Sequence, residues 1–118
     1  MLSISESDIS VLEKKASQAA NMLKSISNKW RLLILCQLVK GEISVGALSE
    51  IIDLSQSALS QHLAVLREAD LVSTRRESQA IFYSLKGDEV TTILAALYQV
   101  YCAPSGTSTK SGKGRGKR

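Results

Sequence analysis

Apolar residues recur along this chain at two different periods, and the change of period marks its organisation. From about Asp8 to Lys24, Ile9, Leu12, Ala16, Ala19, Ala20 and Leu23 fall at helical spacing, and Ser7 or Asp8 can cap that helix. A second helix is expected from about Asn28 to Lys40, ended by Gly41. Its apolar set (Leu32, Leu33, Leu35, Cys36, Leu38, Val39) is so broad that the helix should be largely buried. Ser44 caps a short third helix through Ile51, and a break at Asp53–Leu54 leads to a fourth that opens at Ser55. Helix, short break, helix is a helix-turn-helix arrangement. After Asp70 the texture changes. Leu71–Arg76 and Ala80–Leu85 are short β-type runs joined by a turn at Glu77-Ser78-Gln79. A last helix covers about Asp88 to Cys102. The expected fold class is mainly α with a β-hairpin wing, a winged helix-turn-helix of about five helices.

The fourth helix carries the first functional signal. With Leu59, Leu63 and Leu66 facing inward, Ser57, Gln61 and Ala64 fall opposite. Gln56 and Ser60 lie on one flank, Ala58 and His62 on the other. That outer face is small, uncharged and rich in hydrogen-bonding groups, whereas an ordinary solvated face carries Lys and Glu. It suits a DNA major groove, where base edges are read by such donors and acceptors. The competing reading is a merely polar helix in a small bundle. Arg75, Arg76 and Gln79 sit near the hairpin tip and suit phosphate or minor-groove contact, the competing reading being a solvated turn.

The last helix carries Val90, Ile93, Leu94, Leu97, Tyr98, Val100 and Tyr101, which leaves little polar surface. Such a helix must bury two faces, one of them against a partner, and the apolar stripe of the first helix has the same need. A symmetric homodimer through the first and last helices satisfies both. It also lets two reading helices enter successive major grooves about one turn apart.

The totals narrow the class. A chain of 118 residues, 44% apolar and 22% charged, suits a single soluble domain with a real core. It has no apolar run near the roughly 20 residues needed to span a membrane. The N-terminus lacks the basic and apolar blocks of a signal peptide, so the expected location is the cytoplasm. Two cysteines in such a chain point away from a constitutive structural disulfide. Cys and His are too few for the usual four-ligand zinc site. No Ser/His/Asp set or phosphate-cradling glycine loop is visible, so no enzyme and no cofactor are expected. Net charge is +4, but residues 1–102 hold ten Lys/Arg against all eleven Asp/Glu. The excess lies in the tail, at Lys110, Lys113, Arg115, Lys117 and Arg118. DNA contacts in the folded part must therefore come from local clustering rather than a broad basic field. Pro104 is expected to stop the last helix, dividing the chain into a domain at 1–102 and a disordered Gly/Ser/Lys-rich tail at 103–118. The tail can attract phosphate or simply solubilise.

These stretches resemble the ArsR/SmtB family of winged-helix bacterial repressors. The residues that carry the likeness are LKSISNKWRLLILCQL, GEISVGALSEIIDLSQSALSQHLAVLREADLV and TRRESQAIFYSL, spanning about Met22 to Cys102. Within the family the chain looks most like the sulfide- and redox-responsive branch of SqrR-, BigR- and HlyU-like regulators. That resemblance implies a dimer binding operator DNA, with one Cys on the second helix and one at the end of the last helix as the sensing pair. Cys36 and Cys102 occupy those places. Metal-sensing members carry thiolates in the third-helix region or His and carboxylates on the last helix. Here Glu42–Leu48 has no Cys, and the last helix has Asp88 and Glu89 but no His. The single histidine, His62, is read as a DNA contact or an interior hydrogen bond rather than a metal ligand.

From chemistry alone Cys36 shares an inward face with Leu32 and Val39 and can be a small core hydrophobe, while Cys102 can be a bystander thiol. The expected function is a DNA-binding transcriptional regulator, a repressor, in which Gln56, Ser57, Ser60, Gln61 and His62 read DNA. Arg75, Arg76 and Gln79 anchor the wing. Oxidation or persulfidation of Cys36 and Cys102, by reactive sulfur species or another oxidant, lowers operator affinity. Two alternatives stand beside it: a constitutive repressor or anti-repressor with inert thiols, and a helical protein-interaction module.

Overall fold

Each of the three inner helices of the protein starts where a short polar side chain can take over an orphan backbone donor. In the structure, a computed structural model that describes residues 9–102, the elements run in order. They are α1 (Ile9–Ile26), α2 (Lys29–Val39), β1 (Ile43–Ser44), α3 (Val45–Ile51), α4 (Gln56–Glu68), β2 (Val72–Glu77), β3 (Ala80–Leu85) and α5 (Glu89–Tyr101). The basic tail, the Pro104 stop and the Ser7 or Asp8 cap expected above lie outside the described residues. Asn28 caps α2 by accepting from the backbone N–H of Trp30 at 2.9 Å and of Arg31 at 3.1 Å. Ser44 caps α3 through Ala47 N–H, and Ser55 caps α4 through Ala58 N–H. Gly41, at φ +136°, turns the chain out of α2 in a conformation that side chains with a Cβ rarely adopt.

The protein falls into two compact units, one ending at Lys86 and one beginning at Gly87. The first holds α1–α4 and a three-stranded antiparallel sheet of order β1-β3-β2. Its core is built from Ile34, Leu35 and Leu38 of α2, Leu48 of α3, Leu59, Leu63 and Leu66 of α4, and Leu71, Val72 and Tyr83 at the sheet. In the hairpin, Val72 pairs with Leu85 and the register continues to Glu77 opposite Ala80. Ser78, in the turn, takes a left-handed conformation at φ 59°. The second unit contributes α5, in which Val90 and Leu94 are buried, while Tyr98, Val100 and Tyr101 are exposed.

Two features differ from the expectation, β1 and the burial of α2, while the apolar stripe of α1 is open as expected. The strand β1 has two residues, too short for alternation to announce it; it exists because Ile43 pairs with Tyr83 and Ser44 with Phe82. α2 is not buried all round. Ile34, Leu35 and Leu38 form its inner face, whereas Leu33, Cys36 and Val39 are exposed. Cys36 lies about 155° from the middle of that inner face, so it is not the core hydrophobe that its apolar neighbours suggested. Along α1, Ile26 is the buried residue, and Ile9, Val11, Leu12 and Leu23 are exposed.

Candidate nucleic-acid interface

α4 separates its two chemistries cleanly. Leu59, Leu63 and Leu66 are at most 2% exposed, while Gln56, Ser57, Ser60 and Gln61 are exposed on the outside. Among the described residues Gln56, Ser60 and Gln61 make no side-chain hydrogen bond, and Ser57 has only the Ser55 hydroxyl at 3.5 Å. The outer face is thus a row of donors and acceptors that the protein itself leaves open. α4 begins only after Ser55 has capped it, so Gln56 and Ser57 stand at its N-terminal turn, the part of a helix that leads into a groove.

Beside this row a cleft of about 630 Å³ opens between α3, α4 and the hairpin. Ser49 of α3, Gln56, Ser60 and Arg67 of α4, and Gln79 and Tyr83 of the wing line it. The structure therefore brings Gln56, Ser60 and Gln79, three of the residues named from sequence, onto one concavity. It adds Arg67, to which sequence assigned no role. Arg67 sits in the last turn of α4, where a cation is favourable for the helix dipole, and that ordinary explanation hid it.

His62 flanks the reading face and is partly buried. Arg31 Nη1 donates to its Nδ1 at 3.1 Å. A guanidinium cannot accept, so Nδ1 is the unprotonated nitrogen and Nε2 carries the hydrogen. Burial, and then the charge of Arg31, hold the imidazole pKa below its ordinary value and keep it neutral. Arg31 Nε also donates to the carbonyl of Ser25 near the end of α1. One side chain of α2 thereby ties α1 to α4. The signal was a cation one turn into a largely apolar helix, but its partner lies 31 residues away.

The two wing arginines are placed differently. Arg75 is held by carboxylates: Nε to Glu42 Oε2 at 2.8 Å, Nη2 to Glu42 Oε1 at 2.9 Å and Nη1 to Glu77 Oε1 at 2.8 Å. Its guanidinium lies 4.6 Å from the centre of the Phe82 ring. Hydrogen bonding from Arg75 holds the Glu42 carboxyl below its usual range, and the two glutamates raise Arg75 in turn. Arg76 is exposed and has no hydrogen bond or ion pair from its side chain among the described residues.

Cys36, on α2 in the first unit, and Cys102, after α5 in the second, are both exposed. Among the described residues no three of His, Cys, Asp and Glu gather as a metal site, and no helix is long and apolar enough to cross a membrane.

Residues 28–74, from the cap of α2 into the wing, match the family described as bacterial regulatory protein, arsR family. The chain is 45% identical over 103 residues to the biofilm growth-associated repressor of Agrobacterium fabrum, covering 87% of this chain and 88% of that one. It is 50% identical over 91 residues to the transcriptional activator HlyU of Vibrio cholerae, covering 77% and 84%. The crystal structure of the transcriptional repressor BigR from Xylella fastidiosa superposes with a TM-score of 0.75 at 42% identity, covering 86% of this chain and all of that one.

Proposed function

The chain belongs to the ArsR family of bacterial regulatory proteins, and from that premise we propose that it is an operator-binding repressor whose grip on DNA is lowered by chemical change at Cys36 and Cys102. Transcriptional regulation is the activity of the family to which it belongs. The observation that carries the DNA-reading part is the exposed face of α4, where Gln56, Ser57, Ser60 and Gln61 offer donors and acceptors beside the wing cleft. His62 presents Nε2–H from the flank of the same face, a donor suited to a guanine N7 or a phosphate oxygen. Gln79 and Arg76 approach the backbone from the wing. Two copies joined through the exposed apolar residues of α1 and α5 set two reading helices one turn of duplex apart. The residues at 103–118 add five cations that attract phosphate without reading sequence.

The thiol part is supported by exposure: both Cys36 and Cys102 are exposed on the protomer. A peroxide removes two electrons and two protons from a thiol pair and leaves a disulfide. A sulfane-sulfur donor adds sulfur mass instead. Either product shifts the regulator only by favouring a conformation unlike the bound one. A coupling of about 1–3 kcal/mol is enough for a roughly 5–150-fold change in affinity.

The test begins by selecting a duplex from a randomised library with the full chain. Affinity for that duplex is then measured before and after peroxide or persulfide treatment, with intact mass taken on the same samples. Loss of affinity together with loss of two hydrogens or gain of sulfur is the expected result. Cys36→Ser and Cys102→Ser should bind like the parent and ignore the reagent. A serine variant that releases DNA as the parent does overturns the thiol pair.

A further inference from the structure

We propose that the adjacent wing arginines do different work: Arg75 is a positioning residue, clamped by Glu42, that fixes the wing beside the cleft, while Arg76 and Arg67 meet DNA phosphates. This rests on the DNA-reading function above and reassigns the charge within it.

Strand alternation separates the two side chains. Arg75 pairs with Phe82, which pairs with Ser44, so these three share one face of the sheet, and Glu42, two residues before Ser44, is on the same side. Arg76 pairs with Ile81 and shares the opposite face with Ile81 and Tyr83. Ile81 and Tyr83 line the cleft against α3 and α4. Strand alternation therefore places Arg76 on the face that Ile81 and Tyr83 share and Arg75 on the opposite face, where Glu42 holds it.

The donors of Arg75 are also committed. Two meet both oxygens of Glu42, a third meets Glu77, and the plane stacks on Phe82. Two carboxylates outweigh the one positive charge, so a phosphate arriving here meets a net negative cluster. An exposed ion pair alone contributes little. This one is bidentate, shared with a second carboxylate and laid across an aromatic ring, the arrangement in which arginine differs most from lysine. It spans the sheet from β2, over β3, to the residue before β1, about two strand spacings or ~10 Å. Leu71, Val72 and Tyr83 hold the hairpin to the helical body through the core, and the clamp adds a tie across its exposed face, where β1 pairs with β3 through only two residues. Arg67 and Arg76, by contrast, have no ion pair among the described residues, and Arg67 lines the cleft with Ser60 and Gln79.

The experiment measures affinity of the full chain for the selected duplex between roughly 50 and 200 mM KCl. Arg76→Gln and Arg67→Gln should each flatten the salt dependence, lowering the slope by about 0.9 for each phosphate the arginine had neutralised. Arg75→Gln and Glu42→Gln should each weaken binding about two- to fivefold with the slope unchanged, and the double variant should be no weaker than either. Arg75→Lys, which keeps the charge and loses the fork, should behave as Arg75→Gln. The proposal is overturned if Arg75→Gln flattens the slope, if Glu42→Gln tightens binding, or if Arg76→Gln leaves the slope untouched. A parent protein that binds selected and scrambled duplexes alike removes the reading function instead, and is seen before any variant is made. Amide hydrogen exchange then still judges the clamp. Exchange in β1 and the hairpin should be faster in Glu42→Gln than in the parent, and equal rates overturn the clamp.

Discussion

α1 and α4 are both amphipathic helices of the same unit, yet the protein leaves opposite halves of them unsatisfied. In α4 the leucine stripe is fully packed, and among the described residues the polar face makes no side-chain hydrogen bond beyond that of Ser57 to Ser55. In α1 the apolar face is bare: Ile9 is 53%, Leu12 38% and Leu23 50% exposed. Unpartnered hydrogen-bonding groups on a rigid helix ask for a ligand with matching donors and acceptors. Unpartnered apolar groups ask for another apolar surface. That criterion supports the proposal that α4 meets nucleic acid and α1 meets protein.

The largest effect should come from α4. Leu59→Ala opens a cavity in a fully buried site and should cost about 2–5 kcal/mol of stability, read as a lowered midpoint in urea. Leu12→Ala removes the same atoms from α1 and should change monomer stability by no more than ~0.5 kcal/mol. Equal losses would erase the contrast. Next, Leu12→Lys should convert the dimer to monomer in sedimentation velocity while leaving the helical circular-dichroism signal intact. A dimer that survives the charge places the interface elsewhere. Gln61→Ala should then cost about 1–3 kcal/mol in affinity for the selected duplex, with the urea midpoint unchanged. Parental affinity in that variant would remove Gln61 from the reading face.

The smallest effect is a pH dependence. The folded-state pKa of His62 lies below its ordinary value of 6.5, through burial and then Arg31. The unfolded chain therefore takes up a proton first as pH falls through 6.5, and stability declines. The contribution is complete above that pH and is lost below it. His62→Gln should lose less stability than the parent between about pH 7.5 and pH 5.5. An equal loss in both contradicts the Arg31–His62 geometry.

Much of this contrast is legible in the sequence, for physical reasons. The Leu59–Leu63–Leu66 stripe marks the face of α4 because its other positions are mostly polar or small, and Ser55 marks its start. Periodicity fails on α2, where apolar residues lie all round. It then has no face to choose, and it turns Cys36 inward when the residue is exposed. The hairpin is legible from its β-type runs, and strand alternation alone separates Arg75 from Arg76. What stays hidden is long-range. Glu42 reaches Arg75 across 33 positions, and Arg31 reaches His62 across 31, through side chains whose sequence neighbours predict neither.

The proposed function requires a symmetric pair of α4 helices reading duplex DNA. Hydroxyl-radical footprinting of the full chain on its selected duplex puts that pair to the test. Two protected patches are expected on one face of the duplex, centred about 10 base pairs apart, with Gln61→Ala weakening both equally. A single patch, or uniform protection without sequence preference, would contradict it.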